Sequence, residues 1–475
     1  MLQDLEHLEP GTKVMILGYG REGKSTHAFL EKHYSGLEIT IADREAGVAG
    51  IDGVVGVVGI VGIAGVVGVV GDCLKNNVIF RCGEGYLENL GEFDIIIKSP
   101  GIKLPPGIVF SNTMLTSQTD LYLNEFRARV IGITGTKGKS TTTSLIYHIM
   151  KEAGQKVVLA GNIGIPPLDC ADEAANGAWT VMELSSAQLE DIRKGPYIGL
   201  ILNLFPEHLD RYGNEQEYFR AKMNLPRYQA ANDIFIYNDD DPVLKSMIEG
   251  LNLTRNFRKF SLEHELAQGG YLAEDKIYLK HEEKVTQVIE IDSRIQLKGR
   301  HNIANIIATA LCCAEMGLSM DEIASGIRSF APLEHRLEYV GHFNGLHFYN
   351  DSIATIPEAT MNAINALGDI DILILGGFDR GLDYSQLYHF LNNSPVSTII
   401  FNGEAGKRMM EEFRENNTKG IQLCFADDYP DIFRLIRAYA HKEGICLLSP
   451  AAASYDRFRN FEERGRLYKK MAREF

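Results

Sequence analysis

The chain has 475 residues, of which 45% are hydrophobic and 23% charged, the balance of an ordinary soluble globular protein of roughly two to four domains. Its net charge of −15 argues against broad binding to nucleic acid or to an anionic membrane surface, although backbone N–H groups can still bind a phosphate locally. The seven cysteines form no CxxC pair, which argues against a disulfide scaffold or structural zinc site and favours reduced thiols in the cytoplasm. No signal peptide is expected.

The first predicted unit is a strand, a glycine turn and a helix. The apolar run Val14–Leu17 is followed by Gly18–Gly23, which has the spacing GxGxxG, and by a helical pattern to about Lys32. A second strand candidate, Glu38–Ala42, ends at Asp43. This order is typical of a Rossmann unit that binds a nucleotide. The motif alone leaves a second interpretation open, a tight turn used for close packing.

Residues 47–71 have glycine at every third position, separated mostly by valine. The absence of proline argues against collagen. Abundant glycine and the lack of flanking basic asymmetry argue against a membrane span, so no stable membrane insertion is expected. We interpret the segment as a low-complexity expansion beside the first sheet.

A further strand candidate, Glu92–Lys98, leads into the loop Ser99-Pro100-Gly101. Open α/β sheets bind ligands at the carboxyl ends of their strands, so this loop is a candidate binding segment. Thr116–Phe126 is predicted to be a helix, and the first domain is expected to end near residue 118.

The second unit starts with the strand Val130–Thr134 and the loop Gly135–Gly138. Glycines let the backbone wrap around phosphates, and N–H groups at the start of the next helix face the anion. Lys139 would neutralise the β- and γ-phosphates, and Ser140 would bind Mg²⁺. Ile133 stands where the pattern GxxxxGK[ST] requires glycine, so the loop is a variant. The alternative is a simple glycine turn before a helix.

Strand and helix patterns alternate to about residue 330, and a third block follows. Its strand candidates are Leu346–Tyr349, Ile372–Leu375, Thr398–Phe401 and Ile445–Leu448. The sequence therefore predicts three α/β domains, at 1–118, 119–331 and 332–475.

The segment GTKGKSTT resembles the ATP loop of the Mur ligase family, whose loops read GTxGK[ST]. Other family motifs agree in order and spacing: Gly161–Gly164, Glu183–Ser186, Glu207–Asp210, His301-Asn302, His335-Arg336, Asn350–Ser352 and Leu448–Pro450. The resemblance covers nearly the whole chain except residues 47–71. It implies a Rossmann-like N-terminal domain, a central P-loop ATPase-like domain and a Rossmann-like C-terminal domain, which close around the substrates.

Three longer segments, MELSSAQLE, NLFPEHLDRY and SPAAASYDRFRNFEERG, are most similar to the family members that add glutamate to UDP-N-acetylmuramoyl-L-alanine. The resemblance implies ATP-dependent amide ligation through an acyl phosphate, in peptidoglycan precursor synthesis. It also implies a cytoplasmic enzyme, and we expect a monomer.

The resemblance also implies a set of ATP and metal residues. Those expected to bind ATP are Gly135, Thr136, Lys137, Gly138, Lys139, Ser140, Thr141, Asn305, Arg336 and Asp351. Those expected to hold two Mg²⁺ ions are Ser140, Glu183, His208 and Lys222, the last as a carbamate. The catalytic residues would be Lys139, Glu183, His208 and Lys222.

The remaining implied residues bind the two other substrates. For the UDP-sugar they are Gly18, Tyr19, Gly20, Arg21, Asp43, Arg44, Ser99, Pro100, Gly101, Asn162, Ser185 and Gln188. For glutamate they are Thr355, Arg380, Ser454 and Phe461. The family usually has lysine where this chain has Ile353, while Arg380 keeps a positive charge. This departure leaves D- or L-glutamate open, and the C-terminal segment favours D.

Three alternatives remain at this point. An NAD(P)-dependent dehydrogenase built on Gly18–Gly23 leaves the ATP loop unexplained. A non-catalytic ATP-binding scaffold is opposed by the presence of Lys139, Glu183, His208 and Lys222. The third is a ligase of the same family with another amino acid.

Overall fold

The computed structural model describes residues 2–6, 8–44, 71–75, 78–105, 107–108, 110–207, 209–251, 256–282, 284–331 and 334–475, with only the backbone at 71–75, 209 and 210. His208 and the glycine repeat, except Gly71, lie outside these residues. The chain divides into two compact units. Unit 1 comprises Met1–Asp292 and Ala304–Ser329, and unit 2 comprises Ser293–Ile303 and Phe330–Phe475. Domain limits at 118 and 331 stay predictions.

Unit 1 contains two sheets, the first with strand order β3-β4-β2-β1-β5-β6. Its elements are β1 (Lys13–Leu17), α1 (Arg21–His33), β2 (Glu38–Asp43), β3 (Gly71–Lys75), β4 (Val78–Cys82), β5 (Ile95–Lys98), β6 (Met114–Thr116) and α2 (Gln118–Phe126). All pairs are parallel except β3 with β4. The chain leaves β1 for β2 on one side and returns to β5 on the other, so β1 and β5 form the switch point where such sheets bind ligands.

Two predicted elements of this sheet differ at their ends. The strand expected at Glu92–Lys98 contains only Ile95–Lys98, because Leu90–Glu92 forms a 3₁₀ turn that buries Leu90. The helix expected from Thr116 starts at Gln118, since Ser117 caps it by accepting the Asp120 N–H.

The second sheet has nine strands in the order β15-β14-β13-β12-β11-β10-β7-β9-β8. Its strands are β7 (Val130–Thr134), β8 (Val157–Gly161), β9 (Trp179–Glu183), β10 (Ile198–Ile201), β11 (Ile234–Asn238), β12 (Asn256–Ser261), β13 (Gly269–Ala273), β14 (Lys276–His281) and β15 (Lys284–Glu290). Its helices are α3 (Lys139–Glu152), α4 (Ala171–Ala175), α5 (Ser186–Leu189), α6 (Leu209–Tyr212), α7 (Glu215–Arg227), α8 (Pro242–Gly250), α9 (Arg300–Glu315) and α10 (Met320–Ser329).

The expected alternation of strands and helices is wrong for residues 256–290. Strands β12 to β15 follow one another without an intervening helix, and β13, β14 and β15 are antiparallel neighbours. Short turns in which Glu274 and Glu282 have positive φ join these strands as hairpins. The part of the sheet that precedes them, from β8 to β12, is parallel throughout.

Unit 2 contains a six-stranded sheet in the order β16-β17-β21-β18-β19-β20. Its strands are β16 (Glu338–Phe343), β17 (Leu346–Asn350), β18 (Ile372–Gly376), β19 (Thr398–Asn402), β20 (Gln422–Ala426) and β21 (Gly444–Leu448). Its helices are α11 (Pro357–Leu367), α12 (Ser385–Asn392), α13 (Gly403–Asn416), α14 (Tyr429–Tyr439) and α15 (Phe461–Arg473). Only β16 with β17 is antiparallel. The central strands are apolar runs buried on both faces, as parallel sheets require.

The thiols with described side chains are all buried: Cys82, Cys170, Cys312, Cys313, Cys424 and Cys446. Burial raises the pKa of Cys170 to about 11 and that of Cys313 and Cys446 to about 12. Across the described ranges, every helix is too short or too polar for a membrane crossing.

Candidate functional site

The loop between β7 and α3, residues 135–138, is held by the segment that follows β10. The Lys137 N–H donates to Asn203 Oδ1 at 2.8 Å, and Asn203 Nδ2 donates to the Lys137 carbonyl at 3.0 Å. The Thr136 hydroxyl donates to the Phe205 carbonyl at 3.1 Å. These bonds fix the backbone of the loop.

The first turn of α3 begins at Gly138, whose φ is +88°. A Cβ at this position would lie 2.5 Å from Asn305 Oδ1 on α9, so only glycine fits without displacement. Ser140 is half-buried and Thr141 is buried in this turn. The first N–H groups of an α-helix have no acceptor within the helix, which makes this turn suited to an anion.

Two lysine side chains meet at the same loop. Lys139 Nζ donates to the carbonyls of Gly135 and Thr136 at 3.0 and 2.8 Å, and Lys222 Nζ donates to the Gly135 carbonyl at 2.8 Å. Lys222 is only 1% exposed. Its pKa lies well below the usual range because burial disfavours the ammonium form and Lys139 repels it, which outweighs the attraction of nearby carboxylates.

Glu183 lies at the end of β9 and is 1% exposed. The parallel register of β7 and β9 places it opposite Ile133, one residue before the loop strand ends. Its Oε1 accepts from Asn162 Nδ2 at 2.7 Å, whereas its Oε2 has no hydrogen-bond partner among the described residues. A buried carboxylate oxygen without a donor is costly, so a cation is the natural partner.

Glu207 forms an ion pair with Lys137 and so connects the loop to the segment that precedes position 208. His208 itself lies outside the described residues. Its predicted role therefore stays a prediction.

The residues predicted for the UDP-sugar lie at the carboxyl edge of the first sheet. Gly18 has φ of +90°, and a Cβ there would lie 2.9 Å from the Ser99 Cβ. The Ser99 hydroxyl donates to the Gly18 carbonyl at 2.8 Å. The Tyr19 N–H donates to Asp43 Oδ2 at 2.6 Å. The ends of β1, β2 and β5 therefore meet around one turn.

The other residues predicted for the UDP-sugar lie after the same strands. Two arginines form hydrogen bonds between this edge and segments of the second sheet. Arg21 Nη2 donates to the carbonyl of Gly164, two residues after Asn162. Arg211 Nη1 donates to the carbonyl of Gly101 at 3.3 Å. Three more residues predicted for the UDP-sugar follow β1, β2 and β5: Gly20, Arg44 and Pro100.

Ser185 and Gln188 form a capping box on α5. The Ser185 hydroxyl accepts the Gln188 N–H at 3.2 Å, and Gln188 Oε1 accepts the Ser185 N–H at 2.9 Å. Gln188 Nε2 also donates to Glu22 Oε1 on α1 at 2.7 Å. Burial raises the pKa of Glu22. Both predicted residues therefore have a structural role, and Gln188 reaches the helix that follows the Gly18 turn.

In unit 2, Arg336 and Asp351 lie close enough to interact. Asp351 is buried, and its carboxylate accepts from the Leu337 N–H at 3.0 Å and from the Ser449 hydroxyl at 2.7 Å. Burial raises its pKa to about 7, against the opposing effects of these hydrogen bonds and of the Arg336 charge. Arg336 Nε is buried without a hydrogen-bond partner in the described part of the chain.

The residues predicted for glutamate all lie in unit 2. Arg380 Nη2 donates to the Thr355 carbonyl at 3.0 Å. Ser454 is buried after β21, and the Phe461 carbonyl, at the start of α15, accepts from the Ser352 hydroxyl at 2.8 Å. Thr355 and Arg380 are therefore in contact, and Phe461 contacts the Asn350–Ser352 motif.

Arg464 on α15 organises this region and was not predicted. Its guanidinium is buried and donates to the Ser352 hydroxyl and carbonyl at 3.0 and 2.8 Å and to the carbonyls of Ala452 and Ala453 at 3.1 and 3.0 Å. It thereby holds two predicted segments together next to Ser454. Asn203 in unit 1 was missed in the same way. Both lie inside quoted motifs, but only their contacts show what they do.

Comparison with known proteins identifies the chain. The family model of the Mur ligase middle domain matches residues 133–313. The UDP-N-acetylmuramoylalanine–D-glutamate ligase of Thermoanaerobacter pseudethanolicus is 35% identical over 416 residues, which span 85% of this chain and 91% of that protein. The enzyme of the same name from Clostridium tetani is 32% identical over 403 residues, 83% of this chain and 86% of that protein.

The chain belongs to the Mur ligase family. Solved structures agree on the fold. MurC from Thermotoga maritima gives a TM-score of 0.56 at 14% identity, covering 98% of this chain and 100% of that one. MurF from Acinetobacter baumannii gives a TM-score of 0.57 at 16% identity, covering 80% and 85%. The predicted three-domain Mur ligase fold and the predicted ATP-dependent ligase activity are confirmed, and the dehydrogenase alternative is rejected.

Proposed function

We propose that this Mur ligase joins D-glutamate to UDP-N-acetylmuramoyl-L-alanine, with conversion of ATP to ADP and phosphate, in the synthesis of a peptidoglycan precursor. The names of its relatives support this choice of substrates. The observation that carries the proposal is the meeting of Lys139 and Lys222 at the Gly135 carbonyl. The Lys139 ammonium at a glycine loop before a helix, with the Lys222 amine at the same carbonyl, makes a binding site for a polyphosphate.

In this proposal the loop Gly135–Gly138 binds the phosphates of ATP through its backbone N–H groups. Lys139 moves from the loop carbonyls to the β- and γ-phosphates, where it offsets the charge that opposes attack by a carboxylate. Asn305 borders the loop through its approach to Gly138.

Mg²⁺ fits the residues present, and the fit rests on Glu183. Its buried Oε2 is free of donors among the described residues, and its other oxygen is oriented by Asn162. Carboxylate and hydroxyl oxygens are the ligands that Mg²⁺ prefers. We propose that Glu183 and Ser140 hold one ion, and that His208 and a carbamylated Lys222 hold a second. The ions would supply charge neutralisation to the phosphates.

The carbamate at Lys222 is supported by the state of its amine. A pKa well below the usual range increases the fraction of neutral amine, which is the form that attacks CO₂. The neutral amine forms an Nζ–C bond to CO₂ and loses one proton, so an uncharged side chain becomes a carbamate anion. The anion attracts Lys139, whereas the ammonium form of Lys222 would repel it.

For the UDP-sugar, the proposed site is the carboxyl edge of the first sheet around Gly18 and Ser99, with Asp43 as an acceptor. Arg21 bonds the segment that carries Asn162, which brings this edge toward the ATP loop within unit 1. A sugar acid bound here would extend its carboxylate toward the γ-phosphate.

For glutamate, we propose Thr355, Arg380, Ser454 and Phe461, with Arg380 paired to a substrate carboxylate. For ATP we also propose Arg336 as a residue that binds a phosphate and Asp351 as one that binds the ribose hydroxyls. Acyl phosphate formation, attack by the glutamate amine and release of phosphate follow in that order.

The test is incubation with ATP, Mg²⁺, UDP-N-acetylmuramoyl-L-alanine and either glutamate enantiomer, with the product detected by mass. We expect product with D-glutamate and none with L-glutamate. Product with L-glutamate alone would favour the alternative that the Ile353 departure raises, while absence of product with both would refute the assignment of substrates. Size-exclusion chromatography tests the expected monomer.

A further inference from the structure

The hairpin of β16 and β17 carries two histidines directly opposite one another, away from the proposed ligase site. His342 and His347 are register partners, and their rings are stacked with centroids 4.5 Å apart. Glu443, just before β21, completes the group. Its Oε2 lies 3.4 Å from His342 Nε2 and 3.7 Å from His347 Nε2.

These separations suit a shared metal ion better than direct hydrogen bonds. They exceed the usual range for an N–H···O bond. Two ligand atoms bound to one tetrahedral Zn²⁺ at its ordinary bond lengths lie about 3.3 Å apart. The three candidate ligand atoms all lie within 4.8 Å of one another, and no other such group of His, Cys, Asp or Glu occurs in the part of the chain that the structure describes.

The neighbours of the group orient it for metal binding. Tyr339 OH lies 3.1 Å from His347 Nδ1, so a proton on Nδ1 can be donated to the hydroxyl, leaving the Nε2 lone pair for an ion. The Glu443 N–H donates to the Gly345 carbonyl in the hairpin turn at 2.5 Å. The carboxylate is therefore anchored to the hairpin that carries both histidines.

We propose that His342, His347 and Glu443 form a binding site for a divalent transition metal of the zinc class, with water completing the coordination. Two imidazoles and one carboxylate suit Zn²⁺, whereas Mg²⁺ prefers oxygen ligands alone. The site lies at the amino ends of β17 and β21, the sheet edge opposite Asp351. A bound ion clamps the hairpin to the start of β21 and stabilises unit 2 without taking part in ligation.

The direct test is calorimetric titration of the full chain with ZnCl₂ in excess Mg²⁺, which keeps the oxygen sites filled. We expect one tight site in the wild type. The double variant His342→Ala/His347→Ala should bind more than about tenfold more weakly. His389→Ala, which removes an exposed histidine from α12 of the same unit, should bind as the wild type does. Equal binding by the double variant, or no binding by the wild type, would overturn the proposal.

Three further measurements distinguish this site from other metal-binding groups of the chain. Zn²⁺ should raise the Tm of the wild type and of His389→Ala but not of the double variant, while all three have the same Tm without metal. Tyr339→Phe should weaken binding by about tenfold, because the Nδ1 partner is lost. X-ray absorption should show nitrogen and oxygen neighbours, and a sulfur neighbour would assign the ion to a cysteine instead.

Discussion

Two loops of unit 1 have the same backbone arrangement but different flanking side chains. The loop after β1 and the loop after β7 each join a buried parallel strand to a helix, with glycine at positive φ. In each, a side chain at the end of the adjacent strand accepts a loop N–H: Asp43 from Tyr19, and Asn203 from Lys137. The first acceptor is a carboxylate and the second a neutral amide.

The basic side chains differ as well. At the second loop, Lys139 and Lys222 both donate to the Gly135 carbonyl. At the first loop, Arg21 instead donates to the Gly164 carbonyl, outside the loop. A neutral acceptor beside the Lys139 ammonium suits a triphosphate, whereas a carboxylate beside the turn repels one. Glycine spacing therefore shows only that an anion can approach, and the flanking side chains determine how much charge the loop accepts.

The largest expected effect comes from removing the cation that distinguishes the second loop. Lys139→Ala should lower kcat/KM by about 1,000-fold or more, because the charge on the γ-phosphate is no longer offset. Lys24→Ala, in the first turns of α1, is the control and should stay within about twofold of the wild type. A coupled assay for ADP measures both. Retention of full activity by Lys139→Ala would contradict the loop assignment.

Lys222→Met tests the buried amine under the second loop. We expect a loss of about 100-fold or more in kcat from the missing metal ligand. At neutral pH the variant should be as stable as the wild type or more stable. The folded state lowers the pKa of Lys222, so protonation of this amine below its ordinary pKa favours the unfolded wild-type chain. Thermal unfolding measures the stability, and mass spectrometry of the product measures the loss of activity. A destabilised variant would show a packing role instead.

Matched glycine substitutions separate the ligands of the two loops. Gly138→Ala should raise the KM for ATP, and Gly18→Ala the KM for the UDP-sugar, each by about 10-fold, from strain of roughly 1–3 kcal/mol at positive φ. Gly250→Ala is the control, since a Cβ there meets open space. A rise in the same KM for both loop variants would argue against separate sites.

Exchanging amide and carboxylate at the two loop acceptors, Asn203 and Asp43, tests whether their charge determines which ligand each loop binds. Asn203→Asp should raise the KM for ATP by about 3- to 10-fold, because it adds a negative charge beside the triphosphate. Asp43→Asn should change that KM little and weaken UDP-sugar binding by about fivefold, as one charge-assisted hydrogen bond is reduced. Isothermal titration of each nucleotide against each variant distinguishes these outcomes from a general loss of folding.

The comparison extends to a strand end of unit 2, where the expected effect is on the pH dependence of stability. The folded state raises the pKa of Asp351 from 3.8 to about 7, so its favourable contribution is complete below pH 3.8 and is lost as pH rises through about 7. Asp351→Asn removes this dependence. The stability of the variant relative to wild type should rise between these pH values, by up to about 4 kcal/mol. Chemical denaturation across the pH range measures it.

The sequence predicted the strands that carry both loops, because continuous apolar runs and glycine turns are local signals. Residues 269–290 were missed as hairpins since their turns contain Glu274 and Glu282 rather than glycine or asparagine. The positions of Glu183 and Lys222 came from the family resemblance. That their side chains lie near enough to interact depends on the order of strands β10, β7 and β9, which periodicity does not encode.

Arg464 shows a second limit. In the sequence it is one of several arginines near the end of the chain, and such residues are usually exposed. Its burial against Ser352, Ala452 and Ala453 depends on contacts between residues that are 112 positions apart for Ser352 and 12 apart for Ala452. Local pattern cannot distinguish it from Arg466 or Arg473.

The buried thiols make the chain easy to label with a probe at a chosen position. Thiols such as Cys312 and Cys313, buried and with raised pKa, react slowly with maleimides because little thiolate is exposed. Once Cys73, whose side chain is not described, is replaced by serine, single cysteines introduced on α8 and α13 can carry a fluorescent donor and acceptor. Energy transfer would then report in real time whether ATP and glutamate change the distance between the two units.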